Sequence, residues 1–108
     1  MVYDDFAKLA LAMPGVTERV GRYEIDLNRD GNHISRLRSK GTLLAIRVPW
    51  DVLEEYSKLH PEMLTPHPHY HDHPYIVAVV EKLDISVATK LLDVSWEFAP
   101  ESLPKRGA

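Results

Sequence analysis

The chain has 108 residues, 44% of them apolar and 27% charged, with thirteen bases against sixteen acids for a formal charge of −3. That length supports one core and not two, and burying roughly 65% of the extended surface makes it self-sufficient without disulfide or metal staples. The absence of cysteine excludes a disulfide framework, a thiolate zinc site and a cysteine nucleophile. The mild negative charge excludes global attraction to nucleic acid or anionic membrane, so such binding needs a local patch.

Phe6, Leu9, Ala10 and Met13 fall at i, i+3, i+4 and i+7, which predicts a first helix. Asp4 or Asp5 is placed to cap it, and Pro14-Gly15 to end it. Tyr23, Ile25 and Leu27 then alternate with polar residues as a half-buried strand, and residues 28–32 turn the chain into the strand HISRLRS. Lys40-Gly41 reverses it again into TLLAIRV, with Leu44, Ile46 and Val48 on one face. A second helix, WDVLEEYSKLH, follows Pro49, with Glu54 and Lys58 paired at i, i+4. The valine-rich YIVAVVEKL predicts a strand near the sheet centre, and a last helix capped by Asp84 or Ser86 carries Ile85, Ala88, Leu92 and Trp96 as far as Pro100. Together these predict an α+β domain over residues 1–100, an antiparallel sheet of about five strands with helices packed on it in the order α-β-β-β-α-β-β-α. Residues 101–108 are expected as a frayed tail.

LALAMPGV at residues 9–16, the hairpin region ending in LLAIRV, HPHYHDHPYIVAVVEKL and LLDVSWEFAP, in that order and spacing, resemble the MmcQ/YjbR family of small bacterial proteins over nearly the whole chain. The resemblance implies a compact fold described as a double-wing DNA-binding motif, with no defined biochemical role. Many members place basic residues just before an aromatic that opens the strand matching YIVAVV. Here that aromatic is Tyr75, and His71, Asp72, His73 and Pro74 stand where those bases would be.

Two segments compete as functional surfaces. Arg29, Arg36, Arg38, Lys40 and Arg47 lie within nineteen residues of the hairpin region and predict phosphate contacts, with DNA as the partner; charges on a solvated sheet edge give the same pattern without function. The segment PHPHYHDHP sets His67, His69, His71 and His73 at every second position, with Asp72 as a further ligand or orienting carboxylate. In strand geometry all four imidazoles share one face and can gather zinc or nickel, adventitiously in vitro if not physiologically. Polyproline geometry groups only His67, Tyr70 and His73. The alternative is a proline-stiffened loop in front of a buried strand.

No serine has an elbow or triad context and the five glycines are scattered, so no enzyme and no cofactor are predicted. Trp50, Tyr56, Tyr75 and Trp96 are expected in the core. A protein-interaction module built around Tyr70 and Tyr75 is a third possibility. No segment approaches the ~20 apolar residues of a membrane span and the N-terminus lacks the pattern of a secretory signal, which predicts a cytoplasmic monomer or weak dimer.

Overall fold

The computed structural model describes residues 1–106, so residues 107–108 of the expected tail lie outside the described residues. In the first helix, α1 (Tyr3–Leu11), Phe6 and Ala10 are fully buried as their spacing requires, whereas Leu9 is exposed and the helix stops before Met13. Its N-cap is Val2, without a side-chain bond; Asp4 and Asp5 instead occupy the first turn, where their charge favours the positive end of the helix dipole.

Four strands follow before the second helix: β1 (Val16–Val20), β2 (Ile25–Arg29), β3 (Asn32–Arg38) and β4 (Leu43–Arg47). The fifth strand of the sheet is therefore β1, between α1 and the hairpin, and not a second strand after the histidine segment. Its residues VTERV are almost wholly exposed, so no hydrophobic alternation marks them. Gly21 N–H donates to the Glu24 carbonyl and closes the β1–β2 turn, which leaves Tyr23 in the loop, 78% exposed, instead of on a buried strand face.

The β2–β3 turn needs only Asp30 and Gly31, both with positive φ, as a two-residue primed hairpin turn demands. One bulge interrupts this hairpin: Leu27 pairs with Ser35 and Asn28 with His33, leaving Ile34 as the extra residue. Ile34 and Ser35 are consequently both buried, and His33 is turned to the side of the sheet that carries Asp26 and Arg36.

Helix α2 (Trp50–Leu59) and strand β5 (Tyr75–Val79) come next, then a short 3-10 turn at Val80–Lys82 and helix α3 (Ile85–Phe98), capped by Asp84. All pairings are antiparallel in the order β1-β2-β3-β4-β5, so the fold class is the expected one, three helices on a five-stranded sheet. Although β5 is apolar, it is an outer strand and not central. Its free edge is covered by residues 63–65, through Thr65 N–H to the Val77 carbonyl at 2.8 Å and Val79 N–H to the Met63 carbonyl at 3.0 Å.

Helices α1 and α3 cover one sheet face, and Phe6, Leu27, Ile34, Leu44, Ile46 and Leu91 form the centre of the main core. Each such side chain contributes about 1.5–3 kcal/mol by burial. On the opposite face Ala45, Val77 and Tyr70 form a second, small cluster. Tyr70 belongs to the histidine segment, so that segment is the cover of this face. Residues 101–106, read from sequence as a frayed tail, hydrogen-bond back onto the fold through Glu101, Pro104 and Arg106.

Candidate functional site

The hairpin bases do not form a single outward patch. Arg29 stacks its guanidinium on the Trp96 ring at 3.6 Å and donates to the Trp96 carbonyl at 2.8 Å. Arg47 donates to the carbonyls of Phe98 at 3.1 Å and Ala99 at 3.5 Å, and also to that of Glu101, neutralising the negative end of α3. Arg36 makes a two-pronged bond to Asp26, Nε to Oδ1 at 2.7 Å and an Nη nitrogen to Oδ2 at 3.0 Å. Arg38 lies 5.5 Å from the centre of the Tyr70 ring, and Lys40 stands exposed in the β3–β4 turn with φ +57°. Three of the five bases thus serve the fold's own hydrogen bonding.

Around Asp26 is a chain of polar groups that no spacing in the sequence connects. Tyr75 Oη lies 2.7 Å from His33 Nδ1, and His33 Nε2 lies 3.3 Å from Asp26 Oδ1, which also accepts from Arg36. Neutral His33 satisfies both contacts when it accepts at Nδ1 from the phenol and donates from Nε2–H to the carboxylate. Burial works to raise the Asp26 carboxyl, but the Arg36 hydrogen bond and the His33 and Arg36 charges outweigh it and hold Asp26 below the usual carboxylate range. Burial likewise lowers His33 against the pull of Asp26, and raises the Tyr75 phenol. Sequence spacing gave no signal for this chain, because the bulge decides which way His33 and Arg36 point.

The histidine segment is not a strand. Pro68–Tyr70 form one 3-10 turn, entered through His67, whose Nδ1 accepts from His69 N–H at 3.2 Å. Proline at the start of the turn needs no donor there, and the turn swings Tyr70 onto Ala45 and Val77. Strand alternation, the one geometry that would gather all four imidazoles, is therefore lost. His71 bonds Asp72 at 2.9 Å in solvent, and among the described residues no three of His, Cys, Asp or Glu are grouped to hold a metal ion.

What the segment does build is the wall of a cleft. A cavity of about 690 Å³ opens between α2, β5 and this loop, with Trp50, Leu53, Tyr70 and Tyr75 among its lining and Glu54 and Arg106 at its margin. Its volume is in the range of small-ligand and side-chain pockets. Tyr70 and Tyr75 stack with ring centres 4.9 Å apart, and the Tyr70 hydroxyl is buried without a hydrogen-bond partner among the described residues. Two of these aromatics, Trp50 and Tyr75, are expected from sequence as core. Both are only half-buried, because α2 leans on the edge of β5 and leaves the cleft between them.

No family model matches the sequence, and no curated protein matches it at a significant level. Among solved structures, the crystal structure of the Deinococcus radiodurans protein DR2400, described as a DUF419 family-model domain, shares the fold with a TM-score of 0.75. The match runs at 14% identity over 94% of this chain and 80% of that one.

Proposed function

We propose that the chain is a small binding module whose ligand site is the cleft between α2, β5 and the histidine loop, and that it belongs to the MmcQ/YjbR-like proteins. Family membership is supported by the shared fold with a DUF419 domain together with the order of the sequence segments. The binding role rests chiefly on one observation: the histidine loop folds back to complete an aromatic-walled cleft of about 690 Å³. The nucleic-acid reading keeps only Arg38 and Lys40 as outward bases, since Arg29, Arg36 and Arg47 are engaged internally.

An aromatic fragment tests the site without knowledge of its natural ligand. Titrating ¹⁵N-labelled protein with 2-naphthoate should shift a contiguous set of amides around Leu53, Tyr75, Ile76 and Val77. Shifts scattered over the whole surface, or none at millimolar fragment, would rule the cleft out as a binding site.

A further inference from the structure

We infer that the mouth of this cleft is a receptor for a proline-containing basic peptide segment of a partner protein, and that residues 104–106 of the chain occupy it in cis. The inference rests on the cleft reading and names its partner. Three anchors define the recognition. Trp50 Nε1–H donates to the Pro104 carbonyl at 2.7 Å. The Arg106 guanidinium covers the same indole ring at 4.4 Å and stands 4.0 Å from the Glu54 carboxylate. The Arg106 backbone N–H donates to the Asp72 carbonyl at 3.1 Å, which ties the segment to the histidine loop across the cleft from α2.

Each anchor reads a feature that any chain of this type presents. The Pro104 carbonyl accepts from a donor-only indole, and proline carries no backbone N–H that would itself need a partner. A guanidinium two residues later finds an aromatic face and a carboxylate together, a pairing that favours arginine over lysine. Charge agrees with this at one contact: Glu54, on the face of α2 that lines the cleft, lies beside Arg106 in a tail segment that also carries Lys105. Recognition of proline-rich basic segments on aromatic-lined surfaces uses the same physics.

The cis segment is held weakly. The indole bond is solvent-exposed, and the Arg106–Glu54 pair is long with both side chains about half exposed. A tethered segment nevertheless competes at an effective concentration in the millimolar range. Displacement by a partner is therefore possible, and the tail sets the threshold for it.

The test uses the full-length chain and the blocked peptide Ser-Leu-Pro-Lys-Arg, followed through the two tryptophan indole N–H signals. Trp96, which donates to the Pro14 carbonyl at 2.9 Å away from the cleft, is the internal reference. Arg106→Glu should move the Trp50 indole signal before any peptide is added and lower the peptide concentration at half-saturation by on the order of tenfold. Trp50→Phe in that background, followed through the backbone amides of Leu53, Tyr75 and Val77 that line the cleft, should abolish peptide binding while leaving the Trp96 indole signal in place. An unmoved Trp50 signal in Arg106→Glu, or equal peptide affinity with and without that substitution, overturns the inference. A concentration-dependent dimer that Arg106→Glu dissolves overturns it too, by making a second copy the occupant. If 2-naphthoate still shifts the cleft amides while the peptide fails, the peptide assignment falls alone; if both fail, the cleft reading falls with it.

Discussion

The Asp26→Asn substitution probes the contact that decides whether Arg36 belongs to the fold or to a candidate nucleic-acid surface. Asp26 accepts both prongs of Arg36 at 2.7 and 3.0 Å and lies 3.3 Å from His33, with 14% of its side chain exposed and 32% of that of Arg36. Breaking a fully buried pair costs about 3–5 kcal/mol. Partial solvation discounts this, and charge-assisted hydrogen bonds at ~1.5–3 kcal/mol lead to an expected loss of about 2 kcal/mol at neutral pH. With a urea m-value of about 1.5 kcal/mol/M, the midpoint should fall by about 1.3 M. The pH dependence has a definite sign. Because the folded Asp26 pKa is depressed, its contribution is present above the unfolded value near 3.9 and is lost as pH falls through the folded value. Wild type and variant should therefore converge in acid. A loss below about 0.5 kcal/mol at neutral pH would refute the reasoning: Arg36 would be a loosely held surface base, available to phosphate, and the wing would regain its central residue.

Three further outcomes follow from the same contacts. If only Arg38 and Lys40 meet phosphate, fluorescence anisotropy with a DNA duplex should give a log–log salt slope no steeper than about −1.8, and a slope near −4.5 would put all five bases on the nucleic acid. Arg47→Met removes the donor from the carbonyls of Phe98, Ala99 and Glu101 and should cost about 1–2 kcal/mol in urea unfolding, because those groups then lose both hydrogen bonds and a favourable charge; an unchanged midpoint would mean water replaces the guanidinium. His33, held below its usual pKa by burial against the pull of Asp26, contributes fully above about pH 6.5 and progressively less as pH falls toward its folded value. His33→Gln should accordingly flatten the fall in urea midpoint between about pH 7.5 and 5, and an equal fall in both proteins would remove His33 from the pH response.

Helices α1 and α3 and the inner strands were legible because their burial leaves a period, whereas α2, which buries no residue fully, was marked by Pro49 and by Glu54 and Lys58 at i, i+4. Phe6 and Ala10, Ala88 and Leu92, and Leu44 and Ile46 are buried as their spacing requires. Strand β1 left no such trace, since an exposed edge strand buries almost nothing. The candidate site failed to appear for a different reason. From the Asp30-Gly31 turn, unbroken pairing would set Arg36 opposite Ile25, whereas the bulge sets it opposite Asp26. One inserted residue exchanges the faces, so an arginine that reads as a wing contact becomes half of an ion pair. The cleft was hidden likewise, because its walls come from α2, β5 and the loop between them, and residue spacing carries no information on how those three lean together.

The hairpin and the histidine loop, rivals in the sequence, constrain each other in the fold. Arg38 lies over the Tyr70 ring, and the His69 imidazole is lowered by desolvation first and then by the charges of Arg38, His67, His73 and Arg36. Among the described residues no three metal-ligating side chains are grouped at this loop. Proline acts in the same direction, since Pro68 starts the turn that separates the imidazoles. The residue this turn buries is Tyr70, which packs on Ala45, Val77 and Tyr75 and lines the cleft together with His67, Pro68 and His71. The histidines thus belong to a loop whose tyrosine is its buried anchor, with His67 and His71 at the cleft and His69 and His73 exposed, so four evenly spaced imidazoles coexist with a geometry that does not bring them together.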